Sequence, residues 1–191
     1  MNFLTHIMIS ETLYRRLAKK MFLDRKAFFY GNIKPDLSPE CLRNPHILDN
    51  YLFMIHNEST RLIKEKPPEK EFSVDLGVIC HYICDFFCYC HLDHALYHRF
   101  AFHFLYEIRL HLAMCRMLFK HGIRLKRGEK KHENKIASMV IEMRKEYMTK
   151  QKTLQRDIEY ALLTSLLACE TIFRLSQCAS EPAEASRLRL S

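Results

Sequence analysis

A chain of 191 residues that is 48% hydrophobic can bury one substantial core, which excludes a disordered or fibrous protein. Only 4 Gly and 6 Pro leave too few turn-forming residues for a strand-rich fold and predict long helices joined by short loops, an all-α protein. The net charge of +8 is mostly local: residues 120–152 hold 11 Lys and Arg against 4 Asp and Glu.

Apolar residues recur at intervals of three and four over six segments, roughly 3–22, 46–64, 71–92, 98–121, 131–149 and 154–177, and each predicts a helix. Ahead of the first apolar stretch there is no basic region, and no small-residue cleavage site follows it, so a cytoplasmic protein is expected. The segment GNIKPDLSP at 31–39 reads as an ordered loop, and KPPEK at 66–70 separates the second and third helices. The apolar stretches near 76–92 and 160–173 are interrupted by His81, Asp85 and Glu170 and fall short of the ~20 residues that cross a bilayer, so no membrane span is expected. Eight Cys without C-x-x-C spacing read as reduced, buried side chains, with Cys80, Cys84 and Cys88 on one stripe of the third helix. Residues 120–152 offer a basic face for peripheral contact with anionic membrane or nucleic acid; Met139, Val140, Met143 and Tyr147 equally make this an ordinary solvated helix over a core stripe. One domain is expected over 1–178, with a flexible tail at 179–191.

The strongest chemical signal is a run of metal-ligating side chains at helical spacing: His81-x-x-x-Asp85, then His91, then His103-x-x-x-Glu107. Residues i and i+4 share a helix face, so each pair can grip one cation. Imidazole and carboxylate donors suit zinc in a catalytic setting, and the same donors accept other divalent metals. His91 lies six residues after Asp85, on another face or at a fraying helix end. Further candidates are His6 in the first helix, Asp36 in the Pro-rich loop and His56 in the second helix, although a lone His on an apolar helix is commonly a core residue and an Asp after Pro a turn residue.

Taken in order, His6, Asp36, His56, His81-x-x-x-Asp85, His91 and His103-x-x-x-Glu107 resemble the bacterial zinc-dependent phospholipase C family, relatives of the fungal single-strand-specific nucleases. The resemblance spans residues 1 to about 107 and implies a compact multi-helix domain with three zinc ions. By it, Asp36, His56, His81 and Asp85 hold one zinc; His91, His103 and Glu107 hold another; His6, a share of Asp85 and the first residue's backbone amino and carbonyl groups hold the third. That first residue is normally a Trp, and here Met1 stands in its place. The remaining histidines, His46, His94, His98, His111, His121 and His132, fall to the surface or to positions behind the ligands. The implied activity is phosphodiester hydrolysis, with water activated between metals and Asp36 as its catalytic base, on a phospholipid head group or a nucleotide diester. A non-catalytic helical metal-binding or adaptor protein stays open as an alternative. HExxH, Gly-rich phosphate-loop and G-x-S-x-G signatures are absent.

Overall fold

Asn2 starts the first helix. Its side-chain oxygen accepts from the Thr5 amide at 2.9 Å, and α1 (Phe3–Leu17) follows with His6, Ile9, Leu13 and Leu17 buried along one stripe. The computed structural model describes residues 1–39, 44–120, 123, 125 and 135–178. Among them the chain continues through α2 (Arg25–Leu37), α3 (Leu48–Glu65), α4 (Glu69–Phe86), a 3₁₀ turn (Tyr89–His91), α5 (His94–Tyr97), α6 (Phe100–Lys120), α7 (Ile136–Thr149) and α8 (Leu154–Cys178). No strand occurs among the described residues, so the protein is all-α. The tail at 179–191 lies outside them, as do His121, His132 and much of the basic stretch.

Helix α4 is the centre of the bundle. Nearly every residue from Leu76 to Phe86 is buried, and α2, α3 and α8 pack around it. At its end the bonding tightens: the Phe87 and Cys88 amides reach back only three residues, to Cys84 and Asp85. The predicted helix over 71–92 therefore stops at Phe86, and a separate 3₁₀ turn carries His91. Likewise α1 ends at Leu17, whose carbonyl takes the amides of both Lys20 and Met21.

The segment expected as a loop at 31–39 is corrected. Helix α2, capped by Asp24, runs through it to Leu37 with Pro35 in the last turn. Proline removes one backbone hydrogen bond there, and packing against α4 compensates. That packing is backbone against backbone. A Cβ on Gly31 would stand 1.9 Å from the Val74 carbonyl oxygen, and one on Gly77 would stand 2.4 Å from that of Phe28. Only two glycines let the helices approach this closely.

Candidate metal centre

The close crossing brings Asn32, one turn beyond Phe28, over α4. Its carbonyl accepts the His81 Nδ1 proton at 2.8 Å. The same device recurs: the His103 ring donates from Nδ1 to the Tyr97 carbonyl at 2.9 Å, and His91 from Nδ1 to the His46 carbonyl at 3.3 Å. A carbonyl only accepts, so it fixes the proton on Nδ1 and leaves each Nε2 facing inward as a donor to a metal.

Those inward nitrogens converge. His91 Nε2 and His103 Nε2 are 3.0 Å apart, and Glu107 Oε1 lies 3.0 Å and 3.1 Å from them. Cys90 completes this group, whose four ligand atoms all lie within 4.8 Å of one another. A second group joins Asp36, His46 and His81, with His81 Nε2 3.1 Å from His46 Nδ1 and 3.7 Å from Asp36 Oδ1. The third joins His6, His81 and Asp85.

Asp85 links the groups, one oxygen to each side. Its Oδ2 lies 2.9 Å from His46 Nδ1 and 3.3 Å from His81 Nε2; its Oδ1 faces His6 Nε2 at 3.2 Å and the Met1 amine. Asn2 places that amine by anchoring its own side-chain amide on the Glu107 carbonyl at 3.2 Å. The amine also lies 3.2 Å from Glu107 Oε1 and 3.3 Å from His91 Nε2.

Three observations show that these residues fit metal ions. Donors about 2.0–2.2 Å from a tetrahedral zinc stand about 3.3–3.6 Å from one another; the separations here are within a few tenths of an ångström of that range, from 2.9 Å between His46 and Asp85 to 3.7 Å between His81 and Asp36. His6 Nε2 is close to Asp85 yet out of line for a hydrogen bond, so both His6 ring nitrogens, like Asp36 Oδ2, are buried without a hydrogen-bond partner. Finally, two ring nitrogens 3.0 Å apart repel unless a cation or proton lies between them.

The titration behaviour agrees. Burial works against the Asp85 carboxylate, but the N-terminal ammonium and the His91, His6 and His81 rings outweigh it and hold Asp85 well below the usual carboxylate range. Burial and the adjacent His81 push His6 down to about 4, so its ring is neutral at pH 7. Burial would lower His103, but its hydrogen bonds to Cys90 and Glu107 raise it to about 10. Without metal, a proton thus supplies the positive charge at this edge.

The structure does not bring His56 into the centre. Ile55, Ser59 and Leu62 form the buried stripe of α3, and His56, about 100° round the helix from Ile55, is exposed. His46, which the sequence assigned to the surface or behind the ligands, stands there instead, 4% exposed just before α3. A histidine in a short loop carries no periodic signal, and only its spacing from Asp36 could have marked it. Cys90 was also missed, being read with the cysteines as core filler. Cys80, Cys84 and Cys88 are fully buried. His94 and His98 are exposed and stack on each other at 6.3 Å, while His111 meets the Thr5 hydroxyl at 3.3 Å.

The turn bearing Cys90 and His91 is itself fastened from behind. The Tyr89 amide donates to Asp157 Oδ2 at 2.9 Å, and the Tyr106 and Tyr147 hydroxyls donate to the same carboxylate at 2.7 Å and 2.8 Å. One buried group on α8 thereby holds the 3₁₀ turn, α6 and α7 together. Comparison with curated proteins and with solved structures gives no match. A family model described as zinc dependent phospholipase C matches residues 5–158, most of the chain and every side-chain donor of the centre. The chain belongs to the zinc-dependent phospholipase C family.

Proposed function

We propose that the protein hydrolyses the phosphodiester bond of a phospholipid head group with three zinc ions held by the three ligand groups. The observation that carries this reading is Asp85, whose two oxygens serve different groups and so fix their spacing. When bound there, zinc lowers the pKa of water towards ~7 and neutralises charge building on a phosphoryl group. The chain supplies the rest. Asp36 takes the proton of the attacking water in this reading, which its one buried oxygen lacking a hydrogen-bond partner supports. Asp36, Asp85 and Glu107 return fewer charges than three divalent ions bring, which leaves a positive pocket for a phosphate diester. The Met1 amine beside Asp85 and the neutral His6 ring furnish the third group.

Helix α6 favours a lipid over a nucleotide. Phe100, Phe104, Leu105, Ile108 and Leu112 are all exposed on it, and Phe100 and Phe104 stand three residues before His103 and Glu107, which makes them surface neighbours of those ligands. A bare aromatic rim suits acyl chains beside the reacting phosphate.

The test is Asp85→Asn, assayed for bound zinc and for turnover of phosphatidylcholine vesicles, an oligonucleotide and an aryl phosphodiester. Loss of both zinc and turnover is expected in the variant, and the wild type should prefer the vesicles. Retained zinc and turnover would overturn the assignment, and a preference for the oligonucleotide would replace the lipid with a nucleic acid.

A further inference from the structure

The group formed by His91, His103 and Glu107 has a neighbour that the family resemblance does not call for. Cys90 precedes His91 in the 3₁₀ turn and has no exposed surface, and its sulfur lies within 4.8 Å of the ligand atoms of His91, His103 and Glu107. Its sulfur is held from the other side by Cys88, with the two Sγ atoms 3.3 Å apart. Both cysteines lie on a turn whose backbone is fixed: the His91 amide donates to the Cys88 carbonyl at 2.8 Å, and the Tyr89 amide between them is tied to Asp157. The sulfur is therefore a positioned donor on a rigid segment.

Zinc distinguishes two kinds of site by counting donors. Three protein ligands leave a place for water and permit catalysis; four close the shell. Thiolate is also the softer donor and the better one for zinc against magnesium or calcium. We propose that the Cys90 thiolate is the fourth protein ligand of the ion held by His91, His103 and Glu107, closing that position with two nitrogens, one oxygen and one sulfur. Binding releases the thiol proton to solvent as the sulfur–metal bond forms. Labour is then divided within the centre. The closed ion, its two charges balanced by the Cys90 thiolate and the Glu107 carboxylate, holds α6 to the 3₁₀ turn, while the groups around Asp85, which include Asp36 with its unpartnered oxygen, keep the room for water. This proposal rests on the reading that the ligand groups hold zinc.

X-ray absorption at the zinc edge tests it directly on the wild-type protein. A sulfur scatterer at about 2.3 Å is expected beside the nitrogen and oxygen shell. In the cobalt-substituted protein a thiolate-to-cobalt charge-transfer band should appear in the near ultraviolet, vanish in Cys90→Ser and persist in Cys88→Ser. A shell of nitrogen and oxygen alone, with zinc retained, overturns this proposal while leaving the metal centre standing. A band that survives Cys90→Ser and vanishes in Cys88→Ser also overturns it. Failure of the wild type to retain any zinc overturns both this proposal and the function on which it rests. If Cys90→Ser does not fold, the wild-type scattering decides alone.

Discussion

A carboxylate with no exposed surface is costly unless opposite charge and polar partners surround it, and Asp85 has both: the N-terminal ammonium and four histidine rings. Removing one of those rings should show in the metal content. His46→Ala is expected to lose one ion and about 100-fold or more in turnover, at or beyond the upper end of what loss of a supporting partner costs a metal site. His56→Ala should keep the zinc and stay within about 0.5 kcal/mol of wild-type stability, as an exposed substitution does. Elemental analysis of the two variants decides, and equal zinc in both would return His56 to the ligand set. The second telling residue is Asp157. Burial raises its carboxyl from 3.8 to about 6, despite the hydrogen bonds from Tyr106, Tyr89 and Tyr147. The protonated form is thus favoured in the fold; its contribution is complete below about pH 4 and lost as pH rises through 6. In metal-free protein, chemical denaturation should show wild type gaining about 2 kcal/mol over Asp157→Asn between pH 6 and pH 4. No change in the difference would mean that the carboxyl titrates alike in both states.

At the scale of elements, the crossing of α2 and α4 decides where Asn32, Asp36 and His81 meet. Its two glycines face backbone, which cannot move aside as a flexible side chain could. Gly31→Ala and Gly77→Ala should each cost about 1–3 kcal/mol by overpacking and lower zinc affinity in step, because α2 must retreat from α4. Thermal unfolding and zinc titration check this; wild-type affinity in a destabilised variant would uncouple the crossing from the centre. Most of the elements were legible in the sequence, because a stripe such as Ile9, Leu13 and Leu17 repeats at the helical period. Helix α2 was not. Pro35 and Gly31 are local signals against a helix, and what overrides them is contact with a helix more than forty residues on. The break after Phe86 was half legible: the spacing from Asp85 to His91 does not suit one helix face, and the chain resolves this by ending the helix.

For the whole molecule, the ligand order supplied most of the centre, since donors from α1, α2, α4, the 3₁₀ turn and α6 converge as the family pattern implies. It could not supply His46, whose place depends on how the chain enters α3, nor Cys90, whose chemistry depends on two rings brought close by folding. The exposed face of α6 is likewise a property of the folded surface, because an apolar stripe in a sequence reads as core. If this face meets lipid, Phe100→Ser combined with Phe104→Ser should weaken binding to phosphatidylcholine vesicles by about 10-fold or more, each ring being worth about 1.5–3 kcal/mol when buried. Turnover of a soluble short-chain diester should stay within about twofold, and co-sedimentation set against that assay separates the two effects. Equal vesicle binding would assign the face to another partner.

The Asp157 contact to Tyr89 also has a consequence for biosynthesis. All the ligands are translated by Glu107, yet the turn that spaces Cys90 and His91 is anchored by a residue made fifty positions later. A nascent chain halted after α6 would own every donor without their final geometry. Metal loading is therefore expected to be a late event, following the docking of the last helix rather than the appearance of the last ligand.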